Sequence, residues 1–150
     1  MKTSSKIQTQ RFAEKLAKKI LRTTPYGLRV KVIALQGDLG TGKTTFTQGF
    51  LKALGVNHYV ASPTFLIMRK YELPRNKADY HHAFHFDLYR IHSSKELLDL
   101  GFKKIISDPH AIILIEWPER VEKILPKDTI WISFEHGKKE SERIIEIASD

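Results

Sequence analysis

Apolar positions along this chain recur first at a helical period and later in strand-like runs, and the change divides it into two stretches. Near the start, Ser5 with Gln8 three residues on forms a capping-box signal. Phe12, Ala13, Leu16, Ala17, Ile20 and Leu21 then make a two-column apolar stripe that runs down to a Thr24-Pro25-Tyr26-Gly27 stop. Val30 to Leu35 reads as a short strand leading straight into a glycine-rich loop. A second helix is predicted from about Lys43 to Leu54, burying Phe46, Phe50, Leu51 and Leu54 and stopping at Gly55. After Ser62-Pro63 the pattern turns to strands. Phe65 to Met68 and Ala83 to Tyr89 flank a polar turn region, Leu73 to Asp79, and predict an antiparallel hairpin. Ser94 is expected to cap a short helix, Lys95 to Leu100, closed by Gly101. Ala111 to Ile115 is an unbroken apolar run, the mark of a strand covered on both faces. Thr129 to Phe134 and Arg143 to Ala148 predict two more strands around a His136-Gly137 turn. The expected fold is a three-layer α/β domain over residues 1–150, its mixed sheet combining a parallel core with antiparallel hairpin strands.

Composition narrows the function classes. The 41% hydrophobic and 28% charged content of these 150 residues is ordinary for a soluble globular domain. With no cysteine, disulfides, thiolate metal sites and cysteine nucleophiles are excluded. Neither a signal segment nor a bilayer-length apolar run is present, so the expectation is a cytoplasmic protein with no membrane partner. The net charge of +8 favours an anionic partner such as RNA, an acidic protein surface or a nucleotide. Lys15, Lys18, Lys19 and Arg22 fall at helical spacing on one side of the first helix. That side reads either as a solvated face or as a docking surface for RNA or an acidic protein.

The chemistry concentrates at Gly37-Asp38-Leu39-Gly40-Thr41-Gly42-Lys43-Thr44, which matches the P-loop pattern in full. Glycines let backbone N–H groups converge on phosphates, and the following helix presents its positive N-terminal end to them. Lys43 is expected to reach the β- and γ-phosphates, and the Thr44 hydroxyl to sit on Mg²⁺. Glu116 ends the apolar run of the buried strand, where nucleotide sites of parallel sheets lie. It is the candidate to hold Mg²⁺ or to orient an attacking water. Asp87 ends another apolar strand and is expected near the γ-phosphate. Asn76-Lys77-Ala78-Asp79 matches a guanine-reading pattern but falls in a polar turn with no D-x-x-G before it, so it reads as a turn. His81, His82 and His85 look like a metal cluster, yet His81 and His85 would share one strand face with His82 opposite, so they read as strand histidines.

Four blocks in order resemble the TsaE family, the small bacterial ATPases of tRNA threonylcarbamoyladenosine formation. They are the P-loop extended through Thr45-Phe46, Ser62-Pro63-Thr64-Phe65, His85-Phe86-Asp87-Leu88-Tyr89-Arg90 and Glu116-Trp117-Pro118-Glu119. The resemblance covers Thr9 to Arg143 and implies a P-loop ATPase that uses ATP/ADP and Mg²⁺. It implies a helper that docks on the TsaD–TsaB complex, supports its repeated turnover by hydrolysing ATP, and meets tRNA only through that complex. With no arginine in a motif aimed at the phosphates, hydrolysis alone is expected to be weak and stimulated by those partners. By that resemblance Thr44 and Glu116 are metal ligands, and Lys43, Asp87 and Thr64 join Glu116 in hydrolysis. The loop residues Gly37 to Thr45 and Trp117 would border the nucleotide, with Thr9 and Arg143 near the adenine. Thr41 departs from the small residue, commonly alanine, that the family carries there. Two alternatives from other classes are a small-molecule kinase, for which no arginine-bearing lid is evident, and a nucleotide-regulated RNA-binding module, suggested by the charge.

Overall fold

The computed structural model describes residues 1–23, 29–58, 60–61 and 66–148. The expected helix stop at Thr24–Gly27 and the Ser62-Pro63-Thr64-Phe65 block lie outside the described residues. The elements are β1 (Lys2–Thr3), α1 (Lys6–Thr23), β2 (Lys31–Gln36), α2 (Lys43–Ala53), β3 (Met68–Glu72), β4 (His82–Asp87), α3 (Ser94–Asp99), α4 (Phe102–Ile105), β5 (Ala111–Glu116), β6 (Ile130–His136) and β7 (Arg143–Ile147). Two 3₁₀ turns, Pro118–Arg120 and Glu122–Ile124, follow β5. All strands join one sheet in the order β1-β7-β6-β2-β5-β4-β3. β6, β2, β5 and β4 run parallel, while β3, β7 and β1 add antiparallel edges.

Alternation along the central strands separates two apolar layers. Ile33 and Leu35 of β2, Ile112 and Leu114 of β5 and Ala83 of β4 face Ala13, Ala17 and Ile20 of α1 and Phe46 and Phe50 of α2. Val32, Ile113, Ile115, Phe84 and Phe86 face the other way, onto Leu97, Phe102 and Val121. A parallel strand covered on both faces must be apolar throughout, and every residue of β5 is buried.

α1 opens as its capping box predicts. The Gln8 amide donates to Ser5 Oγ at 3.2 Å, and Gln8 Oε1 accepts from the Ser4 amide at 2.8 Å. The return bond therefore reaches one residue further back than the standard box. α1 crosses α2 at Gly49, where a Cβ would come within 2.5 Å of the Gln10 carbonyl oxygen. Only glycine lets two backbones approach this closely.

Several boundaries differ from the sequence expectation. The first hairpin strand begins at Met68, because Ile67 takes a left-handed φ of 63° and Leu66 is exposed. Ser93 rather than Ser94 holds the N-cap of α3, without a side-chain cap bond. α4 is an extra turn after Gly101, entered with φ 84°, and it buries Phe102. β1 is a further addition at the edge, paired with β7 and tied by a Lys2–Glu142 ion pair of 2.9 Å.

Candidate functional site

The site forms where β2, β5 and β4 end side by side. After Gln36 the chain turns through Gly37, Gly40 and Gly42, at φ 152°, 73° and 101°, before entering α2. A Cβ on Gly37 would meet the Phe134 carbonyl oxygen of β6 at 2.4 Å, so the loop packs directly against that strand. Thr41 is buried, and its hydroxyl donates to the Asp38 carbonyl at 2.7 Å. It braces the loop from within and does not line the cavity beside it. Gly37 and Asp38 likewise shape the loop without lining that cavity.

Lys43, only 5% exposed, donates to the carbonyls of Gly37 and Asp38, the latter at 2.8 Å. Its ammonium lies 4.5 Å from the centre of the Trp117 ring. It makes no ion pair among the described residues. Burial pulls its pKa below the ordinary lysine value, against the pull of the Glu116, Glu119, Asp87 and Asp38 carboxylates. A buried cation of this kind is best served by an incoming anion.

Glu116 stands at the end of β5, opposite Leu35 of β2 on one side and Asp87 of β4 on the other. Thr44 Oγ1 donates to it, 3.0 Å from Oε1 and 3.3 Å from Oε2. His85 Nε2 approaches Oε1 at 2.8 Å. Asp87 is 5% exposed, and its Oδ1 accepts from the Tyr89 amide at 3.1 Å. Immediately after Glu116, Trp117 takes a left-handed φ of 61°, a conformation that costs a bulky residue about 1–3 kcal/mol. Its ring leans on Tyr89 at 5.1 Å.

These groups surround a cavity of about 630 Å³. Of the residues expected from sequence, Thr9, Leu39, Gly40, Gly42, Lys43, Thr44, Thr45, Asp87, Glu116, Trp117 and Arg143 line it. Thr64 lies outside the described residues. Two members of the set carry ties within the protein. The Thr9 hydroxyl shares a hydrogen bond of 2.9 Å with Thr3 Oγ1, so Thr9 meets the cavity with its hydroxyl already engaged. The Arg143 guanidinium donates to the carbonyls of Gly40, Glu140 and Glu142 at 3.2, 2.6 and 2.7 Å.

Sequence reasoning missed Ser5, Lys6, Tyr89 and Ser141, which also line the cavity. Lys6 opens α1 and Ser5 just precedes it, one turn before Thr9, a spacing that could have pointed to them. Ser141 carries no such signal. The grouping of His81 with His85 on one strand face is corrected. His81 precedes β4 and stacks on His110 at 4.3 Å, whereas His85 is fully buried against Glu116. Asn76 to Asp79 is a turn, as read, closed by Asn76 bonds to the Tyr80 backbone at 2.7 and 3.2 Å.

A parallel core with a glycine loop between β2 and α2, and an acidic residue ending the adjacent strand, defines a P-loop NTPase-like α/β protein. The family model described as "Threonylcarbamoyl adenosine biosynthesis protein TsaE" matches residues 3–145, and the chain belongs to that family. It is 39% identical over 101 residues to the tRNA threonylcarbamoyladenosine biosynthesis protein TsaE of Borreliella burgdorferi, covering 67% of this chain and 69% of the relative. The protein of the same name from Haemophilus influenzae is 33% identical over 126 residues, 84% of this chain and 75% of its own length. The crystal structure of YdiB from Bacillus subtilis superposes with a TM-score of 0.72 at 27% identity, covering 98% of this chain and 82% of that one. The family's place is thus in tRNA threonylcarbamoyladenosine biosynthesis.

Proposed function

We propose that the chain binds ATP with Mg²⁺ and hydrolyses it slowly, in support of a TsaD–TsaB complex that threonylcarbamoylates the tRNA adenosine beside the anticodon. The observation that carries this reading is the buried ammonium of Lys43 beside the Thr44–Glu116 pair. A hydroxyl and a carboxylate converging at the N-terminus of α2 are the hard oxygen donors that suit magnesium, so the residues fit the ion. When bound, magnesium would neutralise charge on the β- and γ-phosphate oxygens.

The protein's own groups divide the remaining work. Lys43 exchanges its two loop carbonyls for phosphate oxygens. The amides at the start of α2 face the same anion. Glu116 and Thr44 hold the metal, and Asp87, its neighbour in register, orients the attacking water, with Thr64 assigned to the same step on its motif alone. Positive charge for the transition state is in short supply. Among the described residues the one arginine on the cavity wall is Arg143, already bonded to three carbonyls. Slow hydrolysis alone follows, and an arginine supplied by a partner would raise it by roughly 10³–10⁵.

No helix of the described residues is long and apolar enough to cross a membrane, and a role in tRNA modification puts the proposed work in the cytoplasm. The exposed basic face of α1, with Lys15, Lys18, Lys19 and Arg22, supports a second reading as a nucleotide-regulated RNA-binding module. Salt-sensitive tRNA affinity without TsaD and TsaB would favour it. The deciding experiment is turnover at saturating ATP, alone and with TsaD and TsaB, for the wild type, Glu116→Gln and Asp87→Asn. Stimulation that both variants abolish is the expected result. Several turnovers per second alone, unchanged by the partners, would overturn the reading in favour of a self-sufficient kinase or NTPase.

A further inference from the structure

We propose that His85 is a positioning residue for Glu116, donating its Nε2–H so that one carboxylate oxygen is pinned and the other is offered to the metal side of the cavity. The inference rests on the Mg–nucleotide reading of this site and adds to it a residue on a different strand.

The strand period places the ring. Along β4, Phe84 and Phe86 join the apolar layer of α3 and α4, while Ala83 faces α1 and α2. His85 and Asp87 therefore share the face of Ala83. On the neighbouring strand, Leu114 pairs with His85 and Glu116 with Asp87, and Leu114 belongs to that same α1/α2 layer. His85 thus sits one step back from the strand ends, behind Glu116 as seen from the cavity.

The contact with Glu116 identifies the donor nitrogen. A carboxylate can only accept, so the 2.8 Å contact with Glu116 Oε1 requires the proton on His85 Nε2. Nδ1 is buried and has no partner among the described residues. The side chain is 0% exposed. A plain core residue here would be better apolar, because a buried nitrogen without a partner costs free energy that a hydrocarbon side chain does not. Among the described residues, the one polar contact of the imidazole is with Glu116.

That contact has a geometric consequence. His85 and Thr44 both converge on Oε1, at 2.8 and 3.0 Å, while among the described residues Oε2 receives only the 3.3 Å approach of Thr44. The terminal torsion of a glutamate is broad and roughly two-fold when nothing holds it. With His85 in place, the carboxylate is held with Oε2 turned to accept a further ligand. Groups that orient metal ligands in this way typically carry about 10–100-fold in metal affinity or activity.

The test is ADP binding measured by titration, with Mg²⁺ and with EDTA, for the wild type, His85→Leu, His85→Gln and His85→Asn, alongside thermal melts without nucleotide. In EDTA all four should bind ADP alike, since the loop and Lys43 are untouched. The gain in affinity on adding Mg²⁺ should fall by about tenfold or more in His85→Leu. His85→Gln, whose carboxamide nitrogen reaches about as far as Nε2, should keep most of the gain. His85→Asn, one methylene shorter, should lose it. Should His85→Leu not fold, the comparison of Asn with Gln decides the same point. Equal Mg²⁺ gain in all folded variants, or equal loss in Gln and Asn, would reduce His85 to a core residue. A wild type with no Mg²⁺ gain at all would instead remove the underlying Mg–nucleotide reading, and the proposal with it.

Discussion

Gly49 lies in α2 where α1 crosses it, and replacing it with alanine sets two effects of opposite sign against each other. Alanine is the better helix former, by about 0.5–1 kcal/mol. Its Cβ, however, would lie 2.5 Å from the Gln10 carbonyl oxygen, 2.6 Å from Gln10 Cα and 2.9 Å from the Gln10 carbonyl carbon. All three are backbone atoms of α1, so no side chain can swing aside. Ordinary carbon contacts stand at about 3.5–4.0 Å, which means the two helices must part by roughly 1 Å at the crossing. Overpacking of this kind costs about 1–3 kcal/mol, and a clash between two backbones belongs at the upper end. The steric term wins, leaving a net loss of about 2 kcal/mol after the propensity gain. For a chain of this size that corresponds to a fall in Tm of about 4–8 °C. Urea unfolding of wild type and Gly49→Ala, with thermal melts on the same samples, measures it. Because Ser5, Lys6 and Thr9 bring the start of α1 to the cavity wall, ADP affinity should fall as well. A Tm unchanged or raised would refute the close crossing and, with it, the account of how α1 is held against the site.

Two further predictions address charge. Lys43→Ala should abolish ADP binding and leave the circular dichroism spectrum intact, because the ammonium is bonded to its own loop and aimed at a ligand. A variant that fails to fold without nucleotide would give Lys43 a structural role. The hydrogen bond from Lys2 holds the Glu142 carboxyl below the usual range. A depressed folded pKa means that its stabilisation is complete above the unfolded value of about 4.3 and is lost as pH falls through the folded value. The stability difference between wild type and Glu142→Gln, followed by urea unfolding from pH 7 to pH 3, should therefore shrink toward acid. A constant difference would refute the pairing as its source.

What could be read from sequence was what lies close together in it. The loop from Gly37 to Thr44 is one contiguous stretch whose chemistry is set by its own glycines and by the helix that follows. Glu116 was legible because a charge ending an unbroken apolar run is conspicuous, and the sheet register then brought Asp87 beside it. Short elements escaped for the opposite reason. β1 has two residues and α4 has four, too few for either period to show. β1 exists through pairing with β7 and the Lys2–Glu142 contact, which join the two ends of the described chain. The inward turn of Thr41 and the bonding of Arg143 to Gly40 are also products of packing, invisible to a motif that counts residue types.

His85 marks the boundary between the two kinds of information. Strand parity alone says that it shares a face with Asp87, two residues on. Parity does not say which of the two faces meets α2 and the loop, nor which residue of the next strand stands alongside. Those facts follow from the parallel pairing of β4 with β5, whose register sets Asp87 against Glu116 and so puts His85 one step behind both. A strand histidine set between apolar neighbours, Phe84 and Phe86, thus turns its Nε2 to the carboxylate most central to the site. The polarity of the position is explained by the neighbouring strand, not by its own. For that reason the substitution that tests it must keep the donor and change the ring, as His85→Gln does, and must be read in metal-dependent binding, because stability alone would not distinguish a well-filled core from an oriented ligand.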